Sequence, residues 1–228
     1  MKNVLQLLLA APVITVAPIL FTVMALAGCG EVKAKNRAVY LLLDTSGTYA
    51  QEVAKAQTIM NYLLATLDSG DSIAIARIDS GSFSEKDILV KATFDERPST
   101  ANAQKRAFKE QLDQYVNTLK KGSSHTDISG GLLQAAEYLY ETGAGEKHVL
   151  IFSDLEEDLI KGHIRKFDLP LDDIHVAALN VTKLRSDNVD PREYLNRIEF
   201  WKSRVQQGGG DWRVINDLER LDNLIVQR

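Results

Sequence analysis

The 228-residue chain has one cysteine, five prolines, four histidines and two tryptophans. A single cysteine excludes an intramolecular disulfide framework, and it cannot supply a cysteine-rich zinc or iron–sulfur site. Basic residues show no excess: 27 Lys and Arg stand against 31 Asp and Glu, a formal net charge of −4. That balance excludes the electrostatic footprint of a nucleic-acid binder, which needs surplus cations to neutralise phosphates. His125, His148, His163 and His175 are scattered along the chain without zinc-ligand spacing. No Walker-type loop is present. Gly143-Ala144-Gly145 follows a helical stretch and precedes a strand run, the wrong order for a phosphate cradle. Long apolar runs are also missing, with one exception at the start.

That exception runs from Met1 to Gly28, and Lys2 is its only charged residue. Val4 to Leu26 is apolar, interrupted by Pro12 and Pro18, the pattern of a secretory leader with a minimal positive end. Leu26-Ala27-Gly28-Cys29 resembles the lipobox of bacterial lipoproteins, and the lone cysteine falls at the residue that is lipidated there. The resemblance implies cleavage between Gly28 and Cys29, a lipid thioether and palmitate-type acylation at Cys29, and an extracytoplasmic address in the cell envelope. Gly30, rather than Asp, follows the cysteine, which in that family accompanies sorting to the outer membrane of a Gram-negative cell. The alternative is an uncleaved transmembrane anchor, since the run is nearly long enough to span a bilayer. Either way the chain is membrane-attached. Residues 1–28 thus read as a lipoprotein signal peptide, 29–37 as the lipidated cysteine and a short tether, and 38–228 as one domain. About 200 residues suit a single core.

Within that domain, strand and helix patterns alternate. Ala38 to Leu43 is continuously apolar, the mark of a strand buried on both faces. Val53, Ala56, Met60, Leu63, Leu64 and Leu67 recur at helical spacing. Ser72 to Ile78 and Ile88 to Phe94 read as strands whose connection has no room for a crossover helix, so they pair as an antiparallel hairpin at a sheet edge. Helical stripes follow at Phe108, Leu112, Tyr115, Val116 and Leu119, and at Ile128, Leu132, Leu133, Ala136 and Leu139. Strands are expected at Lys147–Phe152 and Asp173–Leu179. Next come a helix with Tyr194, Leu195, Ile198, Trp201 and Val205 on one face, a last strand from Trp212 to Ile215, and a closing helix through Leu218, Leu221, Leu224 and Ile225. The alternation predicts a doubly wound α/β domain: a mostly parallel sheet, helices on both faces and an antiparallel edge strand. Trp201 and Trp212 are expected as core anchors.

Ligands in such sheets bind beyond the carboxyl ends of the strands. Three segments fall there: Asp44-Thr45-Ser46-Gly47-Thr48, Gly122-Ser123-Ser124-His125-Thr126-Asp127 and Ser153-Asp154-Leu155. They offer carboxylates and hydroxyls, a hard-oxygen donor set that selects Mg²⁺, Mn²⁺ or Ca²⁺ over zinc or copper. Each also has a structural explanation. Ser46 and Thr126-Asp127 can cap helices, His125 can be an ordinary surface residue, and Glu156 to Asp158 a solvated acidic turn.

The order Asp-x-Ser-x-Thr, then Thr, then Asp resembles the metal-ion-dependent adhesion site of von Willebrand factor type A domains. Asp44, Ser46, Thr48, Thr126 and Asp154 occupy its five places, and the resemblance covers about residues 38–228. It implies a cation held directly by Ser46, Thr48 and Thr126, with Asp44 and Asp154 acting through bound waters. It further implies a protein partner whose acidic side chain completes the coordination, with no chemistry performed on that partner. Two departures stand out. Thr48 replaces a Ser, and Leu155 stands where many members carry Gly, followed by the acids Glu156, Glu157 and Asp158. Like charge there opposes an acidic partner. Two other readings stay open. Asp44-Thr45-Ser46-Gly47-Thr48 is similar to the nucleophile motif of haloacid-dehalogenase-type Mg²⁺ phosphohydrolases, but Ser46 replaces its acid/base Asp and Thr126 gains no role. The other is a von Willebrand-like scaffold with a structural metal or none.

Overall fold

The computed structural model describes residues 34–46, 52–118, 123–218 and 225. The leader 1–28, Cys29, most of the tether, Thr48 and most of the expected closing helix lie outside the described residues.

Six strands form one sheet: β1 (Arg37–Asp44), β2 (Ser72–Ile78), β3 (Ile88–Thr93), β4 (Glu146–Phe152), β5 (Ile174–Leu179) and β6 (Asp211–Ile215). Among the described residues four α-helices accompany them: α1 (Val53–Thr66), α2 (Pro98–Thr118), α3 (Ile128–Glu141) and α4 (Arg192–Gln207). Strand order is β3-β2-β1-β4-β5-β6, and only β3 runs antiparallel, at the edge beside β2. The domain is therefore the expected mostly parallel α/β sheet with an antiparallel edge strand.

The strands' period of two sorts the core into two layers. Tyr40, Leu42, Ala76, Val149, Ile151 and Val176 face α3 and α4, meeting Ile128, Leu132, Leu139, Trp201 and Val205. Val39, Leu41, Ile73, Ile75, Leu150 and Phe152 face the other way, meeting Ile59 and Leu63 of α1 and Phe108 and Leu112 of α2. Ile225 is buried in that second layer, and Leu218 packs against it. Because β1 is buried on both faces along its length, truncating Leu42 to Ala would cost about 2–5 kcal/mol.

Two expectations shift in detail. Leu195 is 63% exposed, because it lies off the line through Ile198, Trp201 and Val205 that α4 turns to the core. Trp212 is only partly buried, packed against the first layer, whereas Trp201 is 1% exposed. No described helix is long and apolar enough to cross a membrane.

Candidate metal centre

All five parallel strands end on the same side, so the loops after β1 and β4 are neighbours. Leu43 pairs with Phe152 in register, which sets Asp44 beside Ser153. The Ser153 hydroxyl donates to Asp44 Oδ2 at 2.7 Å, and Ser153 is fully buried. Asp44 Oδ1 accepts the Ser46 N–H at 2.8 Å, which closes the first loop as an Asx-type turn. That turn presents Ser46 to the second loop, where it forms a bridge with Ser123, whose N–H donates to the Thr45 carbonyl at 2.8 Å. The second loop in turn meets the third: Thr126 and Asp158 exchange backbone hydrogen bonds of 2.8 and 3.0 Å. Three segments distant in sequence are thus tied pairwise around one spot. Asp44, Ser46, Thr126 and Asp154 are brought together there, and Thr48 is not described.

The two carboxylates are buried, Asp44 at 5% and Asp154 at 4% exposure, and their donors are all neutral. Asp154 Oδ1 accepts the Glu156 N–H at 3.0 Å, and its Oδ2 accepts no hydrogen bond among the described residues. Burial pushes the Asp154 carboxyl up to about 6; the Glu156 N–H opposes the shift and the charge of Asp44 adds to it. No group of three or more His, Cys, Asp or Glu is placed to hold a metal among the described residues. The set here is instead two carboxylates with hydroxyls from Ser46 and Thr126. An all-oxygen set in which one carboxylate oxygen accepts no protein hydrogen bond fits a hard divalent cation.

Surrounding charges serve other duties. Asp127, not Thr126, caps α3: its Oδ1 accepts the Gly130 N–H at 2.8 Å. The position needs glycine, since a Cβ on Gly130 would come within 2.6 Å of Asp127 Oδ2. Asp127 also accepts the Ser82 N–H at 3.1 Å and pairs with Arg165 at 2.6 Å. The acidic run after the third loop is tied down rather than free. Glu157 accepts the Ser129 N–H at 2.7 Å, Glu156 lies 3.6 Å from Arg197, and Asp158 pairs with His125 Nδ1 at 2.9 Å. Asp79, beyond the end of β2, accepts the Ser123 hydroxyl at 2.6 Å. Burial works to raise the Asp79 pKa, but bonds from Ser123 and Ser80 and the charge of Arg77 leave it lowered. Arg165 and Asp79 were not singled out from the sequence, whereas Asp127 stood there as a helix cap and Ser153 as a hydroxyl residue directly after a strand.

Leu155 shows why its position favours glycine: φ is 67°, in the left-handed region. Its side chain is 1% exposed in the α3/α4 layer.

No family model matches the sequence, and no curated protein matches it. Among solved structures the chain is similar to a von Willebrand factor type A from Catenulispora acidiphila, with 15% identity, a TM-score of 0.48, and coverage of 83% of this chain and 41% of that one. The chain therefore spans about two fifths of that structure's length. It is also similar to an aerotolerance-related membrane protein from Bacteroides fragilis NCTC 9343 carrying multiple mutations to serines (12% identity, 84% and 96% coverage, TM-score 0.43). A third is conserved hypothetical protein BatB from Bacteroides thetaiotaomicron (13% identity, 84% and 95% coverage, TM-score 0.43). At these identities the likeness concerns fold alone.

Proposed function

We propose that the chain is a membrane-anchored lipoprotein of the bacterial envelope whose von Willebrand A-type domain binds a divalent cation and through it a protein partner. Mg²⁺ is the expected ion, with Mn²⁺ or Ca²⁺ as substitutes. The observation that carries this reading is the pair Asp44 and Asp154, buried at the ends of adjacent strands and given only neutral donors. Buried anions without a compensating charge are costly, and a cation shared between them offsets that cost. Ser46, Thr48 and Thr126 would hold the ion by their hydroxyls, and Asp44 and Asp154 through water, following the pattern the motif resembles. A bound ion supplies a Lewis-acidic position open to a carboxylate oxygen. The chain's own residues bind and orient: Ser153 fixes Asp44, and Asp44 fixes the Ser46 turn.

The reading is non-catalytic, since Ser46 stands where the phosphohydrolase pattern needs an Asp to shuttle the proton. The chain's work is protein–protein interaction or envelope assembly, with attachment through the lipid on Cys29.

Calorimetric titration of Mg²⁺ into the full chain tests the site. Saturable binding that disappears in Asp44→Ala supports it, and equal affinity in both overturns it. Palmitate label incorporated by the wild type and lost in Cys29→Ser tests the anchor; unchanged labelling favours the transmembrane alternative. Mg²⁺-dependent phosphoester hydrolysis that vanishes in Asp44→Asn would replace the non-catalytic reading with the phosphohydrolase one.

A further inference from the structure

The third loop holds a residue in a conformation that its side chain disfavours. Leu155, directly after Asp154, has φ of 67°. For a residue with a Cβ this left-handed geometry shifts a local equilibrium by about tenfold. Helix α4 reaches this loop with two side-chain donors. Arg197 Nε donates to the Asp154 carbonyl at 3.0 Å, and Trp201 Nε1 donates to the Leu155 carbonyl at 3.0 Å. Positions four apart lie on one helix face, so the pair meets two consecutive carbonyls of the same turn. Arg197 is itself fixed: its Nη1 and Nη2 donate to the two carboxylate oxygens of Asp187 at 3.1 and 2.9 Å. Asp187 is buried and also accepts the Leu184 N–H at 2.7 Å. Asp187 thus fixes the Arg197 guanidinium, which brings the third loop a directed N–H together with a charge that also favours the ionised form of Asp154 and attracts Glu156.

We propose that Arg197 and Trp201 are positioning residues for the cation site: holding the carbonyls of Asp154 and Leu155, they keep the turn left-handed and Asp154 in its place beside Asp44. The inference rests on the cation reading above. Without the clamp, Leu155 relaxes to negative φ in the cation-free protein, and binding must reimpose the strain. The apparent affinity then falls by the fraction of chains still in the competent turn. Glycine at 155 takes either sign of φ without penalty, so it removes the need for the clamp.

The test is Mn²⁺ affinity measured by calorimetry on the full chain. Trp201→Phe keeps the buried ring and deletes the N–H; it is expected to weaken binding about tenfold. Adding Leu155→Gly to Trp201→Phe is expected to restore affinity to within about twofold of wild type, even though the lost leucine lowers thermal stability. Arg197→Lys, which loses the Nε donor while keeping the charge, is a second variant expected to weaken binding, and unfolding curves verify that each protein is folded. Wild-type affinity in Trp201→Phe, or a double variant no tighter than the single one, overturns the clamp alone. Absence of saturable Mn²⁺ binding in the wild type overturns the cation reading, and the clamp with it.

Discussion

The two ends of the parallel sheet bury carboxylates in opposite ways. At the end where β1 and β2 begin, Asp71 accepts the Arg37 N–H at 2.7 Å, Arg37 Nε at 3.1 Å and the Asp68 N–H at 2.8 Å. Arg37 Nη2 lies 3.0 Å from the same carboxylate and also donates to the Thr66 carbonyl at 2.8 Å. Asp71 is thus matched by an internal cation as well as by backbone N–H groups, and the cluster ties the entry of β1 to the exit of α1. At the other end, Asp44 and Asp154 receive only backbone and hydroxyl donors, and no described cationic side chain bonds to either carboxylate. A carboxylate matched by an internal cation belongs to the fold. Under the proposed function, a pair given only neutral donors at the carboxyl ends of the strands takes its cation from outside.

Exchanging roles between the ends should therefore fail in different ways. The largest effect is expected from Asp44→Ala, which abolishes saturable Mg²⁺ binding in a calorimeter while leaving the far-UV circular dichroism of a folded sheet. Asp71→Ala should do the reverse. It removes the buried partner of Arg37 and leaves only the exposed Asp68, 3.1 Å away, so a denaturation midpoint should report lost stability of up to about 3–5 kcal/mol, with cation affinity in the surviving folded protein unchanged. If Asp71→Ala removed cation binding from folded protein, the division between the ends would break.

A smaller effect sharpens the picture of the entry end. His148, His175 and Asp211 stand in one row across β4, β5 and β6. The His148 and His175 rings lie 5.2 Å apart, and His175 Nδ1 is 2.8 Å from Asp211. Both nitrogens of His148 are buried without a partner. Burial, then the charges of His175, Arg213 and Arg37, pushes its pKa from 6.5 down to about 3. Between those values the unfolded chain binds a proton that the folded chain refuses. Stability is therefore full above pH 6.5 and falls as pH drops toward 3, by at most about 1.4 kcal/mol per pH unit. His148→Leu should flatten the fall in melting temperature between pH 6.5 and 4.5 relative to wild type, and parallel curves would show that His148 does not drive it. The smallest effect is expected from His125→Ala, which removes only the exposed contact to Asp158. It should change stability by under about 1 kcal/mol and Mg²⁺ affinity by less than twofold, on the same calorimetric titration.

What the sequence displayed, and what it hid, follows from the range of the interactions. Periodicity is local, so the apolar run at residues 38–43, the hairpin of β2 and β3 and the stripe of α3 were all legible. The oxygen residues proposed for the site stood out as well, because Asp44, Ser46 and Asp154 follow strands at short range and Thr126 directly precedes a helix. Contacts that depend on register between distant strands were not. His148 and His175 look scattered in sequence, yet they pair directly in the sheet. Asp127 and Arg165 meet across 38 residues, and Arg197 meets the Asp154 carbonyl across 43. Leu155 was noticed only as an odd replacement. A leucine carries no local signal for positive φ, and what sustains it there is the core around its side chain and two donors from a later helix.

The division between the two ends is tested most directly by locating a paramagnetic ion. Substoichiometric Mn²⁺ added to the isotopically labelled chain broadens amide resonances within a limited radius of wherever it binds. The predicted result is selective broadening of Ser46, Ser123 and Glu156, with Arg37, Asp68 and Asp71 untouched. Broadening centred on Asp71, or uniform broadening of exposed acids across the surface, would contradict it.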